Sequence, residues 1–152
     1  MDKGTTFKIY LPRVEAELTQ HVKREIKIAR GEGELVLLVE DDTALRDLFK
    51  RMIQNLGYQV KVATNGEEAL IVVGEEDLRP DILITDVVMP EMSGRMLVER
   101  LYRIQPGLKV LYTSGYTDNA IVHHGVLDPQ TPFLQKPFSI ASLATKIREI
   151  LS

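Results

Sequence analysis

The sequence predicts an α/β protein built on a doubly wound, parallel, five-stranded sheet. From Leu35 onward, short apolar runs alternate with amphipathic helical stretches, and that alternation implies parallel strands joined by crossover helices. Several runs are apolar at consecutive positions, which predicts helices packed on both faces of the sheet. Each crossover is expected to be right-handed. A chain of 152 residues, 44% hydrophobic and 27% charged, is long enough for one buried core and too apolar for global disorder.

The front of the chain reads differently from the rest. Thr5-Thr6-Phe7-Lys8-Ile9-Tyr10-Leu11 alternates polar and apolar residues and stops at Pro12, a strand signal. Val14, Leu18, Val22 and Ile26 then recur every four residues among charges, one narrow apolar stripe on a helix. Such a stripe suits a solvated linker helix or a dimerising, signal-carrying seam. Gly31-Glu32-Gly33-Glu34 breaks the helix and marks a boundary. The expected division is a strand segment over 1–13, a linker over 14–33 and the α/β domain over 34–152.

Within that domain the expected strands are Leu35–Val39, Gln59–Ala63, Ile82–Thr85, Val110–Thr113 and Phe133–Gln135. The first helix spans Thr43–Leu56, with Leu45, Leu48, Phe49, Met52, Ile53 and Leu56 on its apolar face. A second follows Asn65-Gly66 and carries Ala69, Leu70, Val72 and Val73. A third follows Ser93-Gly94, buries Met96, Leu97, Leu101 and Ile104, and ends before Pro106-Gly107. A fourth, near Asp118–Gly125, is short and weakly patterned. The fifth is capped by Ser139 and buries Ile140, Leu143, Ala144, Ile147 and Leu151.

Composition narrows the function. A net charge of −3 provides no strong field for nucleic acid or an anionic membrane. The absence of cysteine excludes disulfides, a thiolate nucleophile and Cys-ligated zinc. Apolar runs such as Leu35–Val39 fall far short of the roughly 20 residues that span a bilayer. Met1-Asp2-Lys3-Gly4 is followed by no apolar stretch, so no secretory signal and a cytoplasmic location are expected.

Chemistry concentrates where the strands end. The first runs into Glu40-Asp41-Asp42, the third into Asp86, the fourth into Thr113-Ser114 and the fifth into Lys136-Pro137. In a parallel sheet these ends share one edge, outside which ligands bind. Clustered carboxylates repel one another unless a cation sits among them. Oxygen ligands without His or Cys favour a hard ion, Mg²⁺ or Mn²⁺. With Lys136 as a second positive charge on the far side, the cavity is suited to an incoming phosphoryl group. Asp86, at the middle of the edge, is the candidate nucleophile for an aspartyl phosphate.

Taken in order, Val39-Glu40-Asp41-Asp42, Asp86-Val87-Val88-Met89-Pro90-Glu91-Met92-Ser93-Gly94, Thr113-Ser114-Gly115 and Lys136-Pro137-Phe138 resemble the receiver domain of two-component response regulators over residues 34–151. The resemblance implies a flavodoxin-like (βα)5 fold with strand order 2-1-3-4-5. It implies that Asp86 accepts phosphate from a phosphohistidine of a kinase or histidine phosphotransfer domain. Asp41, Asp86 and the backbone carbonyl of Val88 would hold Mg²⁺, with Glu40 acting through water and Asp42 capping the first helix. Lys136 would pair with the phosphoryl oxygens, and its bond to Pro137 would be cis. Ser114 and Phe133 match the switch residues. Val88 and Tyr116 match the positions that modulate phosphoryl lifetime, and their apolar and bulky side chains imply a longer-lived phosphoryl group than in chemotaxis-type receivers.

Gly4-Thr5-Thr6-Phe7-Lys8-Ile9-Tyr10-Leu11-Pro12-Arg13 resembles the last strand of a histidine-kinase ATP-binding domain. The implied parent is a hybrid sensor kinase with a C-terminal receiver, although the kinase's asparagine and glycine-rich boxes are absent here. What is implied for this chain is catalysis only of its own phosphorylation and dephosphorylation. A free-standing regulator with an N-terminal extension is the alternative. An aspartyl-phosphate hydrolase would place a second aspartate where Val88 stands, and a flavin-type binder would need a phosphate loop where Glu40-Asp41-Asp42 stands. Relatives that act as unphosphorylated interaction modules lose the acids or the lysine. Dimerisation is expected either on the face of the fourth helix, fifth strand and fifth helix or through the N-terminal helix. His21, His123 and His124 lack the setting of a phosphodonor and read as exposed.

Overall fold

The computed structural model describes residues 4, 5, 7, 8, 10, 30–74, 77–115 and 130–152. Strands β1 (Leu35–Val39), β2 (Gln59–Ala63), β3 (Ile82–Asp86), β4 (Lys109–Ser114) and β5 (Phe133–Gln135) form one parallel sheet in the order β2-β1-β3-β4-β5. The described helices are α1 (Thr43–Asn55), α2 (Gly66–Gly74), α3 (Gly94–Ile104) and α4 (Ile140–Leu151). The helix expected near Asp118–Gly125 lies outside the described residues, as do the 14–29 part of the linker, Tyr116, His21, His123 and His124.

Alternate residues of each central strand feed separate cores. Leu37, Val39 and Leu83 pack with Ala69, Val72 and Val73 of α2 and with Leu97, Val98 and Leu101 of α3. Val36, Leu38, Ile82 and Ile84 pack on the other face with Phe49 and Ile53 of α1 and with Leu143, Ala144 and Ile147 of α4. Burial on both faces is why β1 and β3 contain consecutive apolar residues. Among the described residues, no helix is long and apolar enough to cross a membrane.

The structure corrects several sequence expectations. β3 continues through Asp86, and β4 runs from Lys109 to Ser114, because Asp86 pairs with Thr113 and a backbone ladder is indifferent to side-chain polarity. Leu48, Met96 and Ile104 are 51%, 46% and 41% exposed rather than buried. In α3 the buried stripe runs through Gly94, Leu97, Val98 and Leu101, and Met96 lies about 100° round from Leu97. Of the alternating segment at the front, Thr5, Phe7, Lys8 and Tyr10 are described and exposed; its other residues, and so the expected strand as a whole, lie outside the described residues.

Candidate functional site at the carboxyl edge

Parallel pairing lines up the carboxyl ends of the strands, and hydrogen bonds carry the order past them. The amides of Glu40, Val87 and Lys136 donate to the carbonyls of Ala63, Thr113 and Ser114 at 3.3, 2.9 and 2.8 Å. β1 thereby delivers Glu40 and Asp41, β3 delivers Asp86 and β5 delivers Lys136 to one crevice. Oxygens of Glu40, Asp41 and Asp86 lie within 4.8 Å of one another. Lys136 stands between two of these acids rather than on the far side: its Nζ donates to Glu40 Oε2 at 2.6 Å and to Asp86 Oδ2 at 2.8 Å.

Burial penalises each of these charges and strengthens the attraction between them. Glu40 is 2% exposed, and burial pushes its carboxyl above the ordinary value, with Lys136 drawing it back and Asp86 pushing it further up. Burial also disfavours the Lys136 ammonium, but the bonds to Asp86 and Glu40 outweigh it and hold the group above its ordinary value. Phe49 lies beneath the ammonium, with Nζ 5.5 Å from the ring centroid, and stacks on Phe138 at 4.7 Å. The ring pair closes the apolar side of the site and adds a modest cation–π attraction. Three carboxyl groups meet one ammonium in the crevice, and the oxygen-only donor set fits a hard divalent ion.

The remaining candidates occupy distinct places. Asp42 caps α1, accepting from the Leu45 amide at 2.9 Å, and leaves Glu40 and Asp41 to face the crevice. Val88 is exposed on the loop after β3, its amide 3.4 Å from Asp86 Oδ1. Ser114 is buried at the end of β4. Thr113 donates its hydroxyl to the Thr85 carbonyl at 3.4 Å. Phe133 is half-buried against the core on the α2–α3 face, outside the acid cluster. The Lys136–Pro137 bond is cis.

Sequence reasoning missed two supports. Arg46 donates from Nη1 to the carbonyls of Glu40 at 2.8 Å and Asp41 at 3.3 Å. Its partners are main-chain oxygens, so no residue pattern announces it. Gly94 donates to the Val87 carbonyl at 3.0 Å and lets α3 start directly against the backbone of Asp86. Its signal lies in Ser93-Gly94, which marks a helix start and closes the motif that begins at Asp86.

A profile described as "Response regulator receiver domain" matches residues 36–148. Sensor kinase CckA of Brucella abortus (strain 2308) is 40% identical over 157 aligned positions, covering 98% of this chain and 17% of that protein. The chain thus spans under a fifth of that relative's length. Chemotaxis protein CheY of Thermotoga maritima is 32% identical over 78% of this chain and 98% of its own length. A crystal structure of the receiver domain from hybrid histidine kinase CckA superposes with a TM-score of 0.65 at 33% identity, covering 78% of this chain and 99% of that one. With motif order, sheet order and these matches in agreement, the chain belongs to the response regulator receiver domain family.

Proposed function

We propose that this chain is a phospho-acceptor of a two-component phosphorelay, with Asp86 as the residue modified. The observation that carries the reading is the meeting of Glu40, Asp41, Asp86 and Lys136 at one edge. The Asp86 carboxylate would form a P–O bond as the P–N bond of a protonated phosphohistidine breaks, releasing neutral imidazole. Lys136 holds one Asp86 oxygen at 2.8 Å, which orients the carboxylate and leaves a cation beside the incoming phosphoryl oxygens. A bound Mg²⁺ or Mn²⁺, held by Asp41, Asp86 and the Val88 carbonyl with Glu40 reached through water, would supply the charge neutralisation that lets an anionic group approach. Ser114 and Phe133 are the proposed switch. Their support is adjacency: Ser114 accepts the Lys136 amide, and Phe133 pairs with Tyr112 two residues before Ser114. Val88 and Tyr116 are the proposed modulators of phosphoryl lifetime.

Receiver domains of this kind work with histidine kinases or phosphotransfer proteins, and such a donor is the proposed partner here, in the cytoplasm. The proposed parent is a hybrid sensor kinase, since the match to a sensor kinase covers 98% of the chain and so extends beyond the 36–148 receiver region. Incubation with acetyl phosphate and Mg²⁺ should add one phosphoryl mass to the intact protein. The addition should vanish in EDTA and in Asp86→Ala. Addition that persists in the alanine variant would remove Asp86 from this role.

A further inference from the structure

Glu40 and Asp41 are adjacent, and adjacent side chains of an extended strand point to opposite faces. Yet their carboxylates gather with Asp86 within 4.8 Å, so the chain must turn as β1 ends. That turn leaves the carbonyls of Glu40 and Asp41 without strand partners. Arg46 takes both on one nitrogen, at 2.8 and 3.3 Å, while Nη2 donates to Thr43 Oγ1 at 3.2 Å. Helix stability does not account for this residue, because a cation near the start of a helix opposes its macrodipole. A guanidinium, unlike an ammonium, can serve three acceptors in one plane.

We infer that Arg46 is a positioning residue for the acidic site: by clamping the two carbonyls it holds the turn that aims Glu40 and Asp41 at Asp86, and it thereby sets the affinity for the divalent ion. This rests on reading the three carboxylates as an ion site. Supporting groups of this kind typically change metal affinity about 10–100-fold. A purely electrostatic role predicts the opposite sign, since removing a nearby cation should tighten divalent binding.

The test is titration of the unphosphorylated protein with Mn²⁺, free ion being counted by electron paramagnetic resonance. Wild type, Arg46→Gln, Arg46→Lys and Asp41→Asn are compared, with urea unfolding in EDTA run on each. Arg46→Gln should weaken binding about tenfold or more, and Arg46→Lys should fall between it and wild type. Binding by Arg46→Gln as tight as wild type, or tighter, overturns the inference and leaves the ion site standing. Equal Mn²⁺ binding by wild type and Asp41→Asn ends both. If Arg46→Gln does not fold, Arg46→Lys decides. Weaker binding at unchanged metal-free stability supports positioning; unchanged binding refutes it.

Discussion

At Gly94 the site depends on a missing carbon. A Cβ there would lie 2.2 Å from the Asp86 carbonyl oxygen, and backbone on both sides cannot swing away. Gly66 is also crowded, but its nearest neighbour would be the Met92 sulfur at 2.7 Å, the end of a flexible side chain. Gly94→Ala should therefore cost about 1–3 kcal/mol or more, and Gly66→Ala distinctly less. Urea unfolding of the two variants checks the order, and equal losses would contradict it. The acids and Lys136 were legible in the sequence because chemistry rides on residue type. Arg46 was not, because its partners are backbone atoms that every residue shares; Gly94 was legible as part of a motif, but the close backbone approach it permits was not.

The helices show how local signals and packing divide the work. Asn65 Oδ1 accepts the Glu68 amide at 2.9 Å, while Glu68 Oε2 accepts from the Thr64 amide and hydroxyl at 2.7 and 2.6 Å. This reciprocal cap starts α2 and resembles a capping box. The Thr64 bonds hold the Glu68 carboxyl below its ordinary value of 4.5. A depressed folded-state value contributes stability above the unfolded value and loses it as pH falls through the folded one. Glu68→Gln should thus cost about 0.5–1 kcal/mol at pH 7, within the range of helix caps, and progressively less below pH 4.5. Urea melts at pH 7 and at pH 3 measure the difference. Element types and caps were readable in this way. The outward turn of Leu48 and Met96 was not, since a wide apolar stripe leaves its edges to be assigned by whatever lies opposite.

Across the whole molecule, the edge opposite the acids receives the incoming chain. The Gly31 amide donates to the Leu56 carbonyl at 2.7 Å, and Gln59 donates to Glu34 at 3.0 Å. Glu34 pairs with Arg148 of α4 at 2.6 Å. A Cβ on Gly31 would come within 2.5 Å of the Tyr58 ring. The boundary read from Gly31-Glu32-Gly33-Glu34 is therefore a docked segment tied to the last described helix. Arg148→Leu should speed amide exchange at Gly31 and Glu32 about tenfold, as expected for loss of one charged hydrogen bond. Mn²⁺ binding should stay unchanged, because the clamp sits at the other end of the strands.

The order of apolar runs determined by itself the sheet, the layers and the edge that would carry the chemistry, since burial and periodicity are properties a linear pattern can hold. Only the tertiary structure decided that Lys136 lies between Glu40 and Asp86, that the Thr113 hydroxyl meets the Thr85 carbonyl, and that Arg46 grips the turn. Those contacts join residues whose distance in space is set by packing and by backbone atoms, and neither is written in the identity of any single residue.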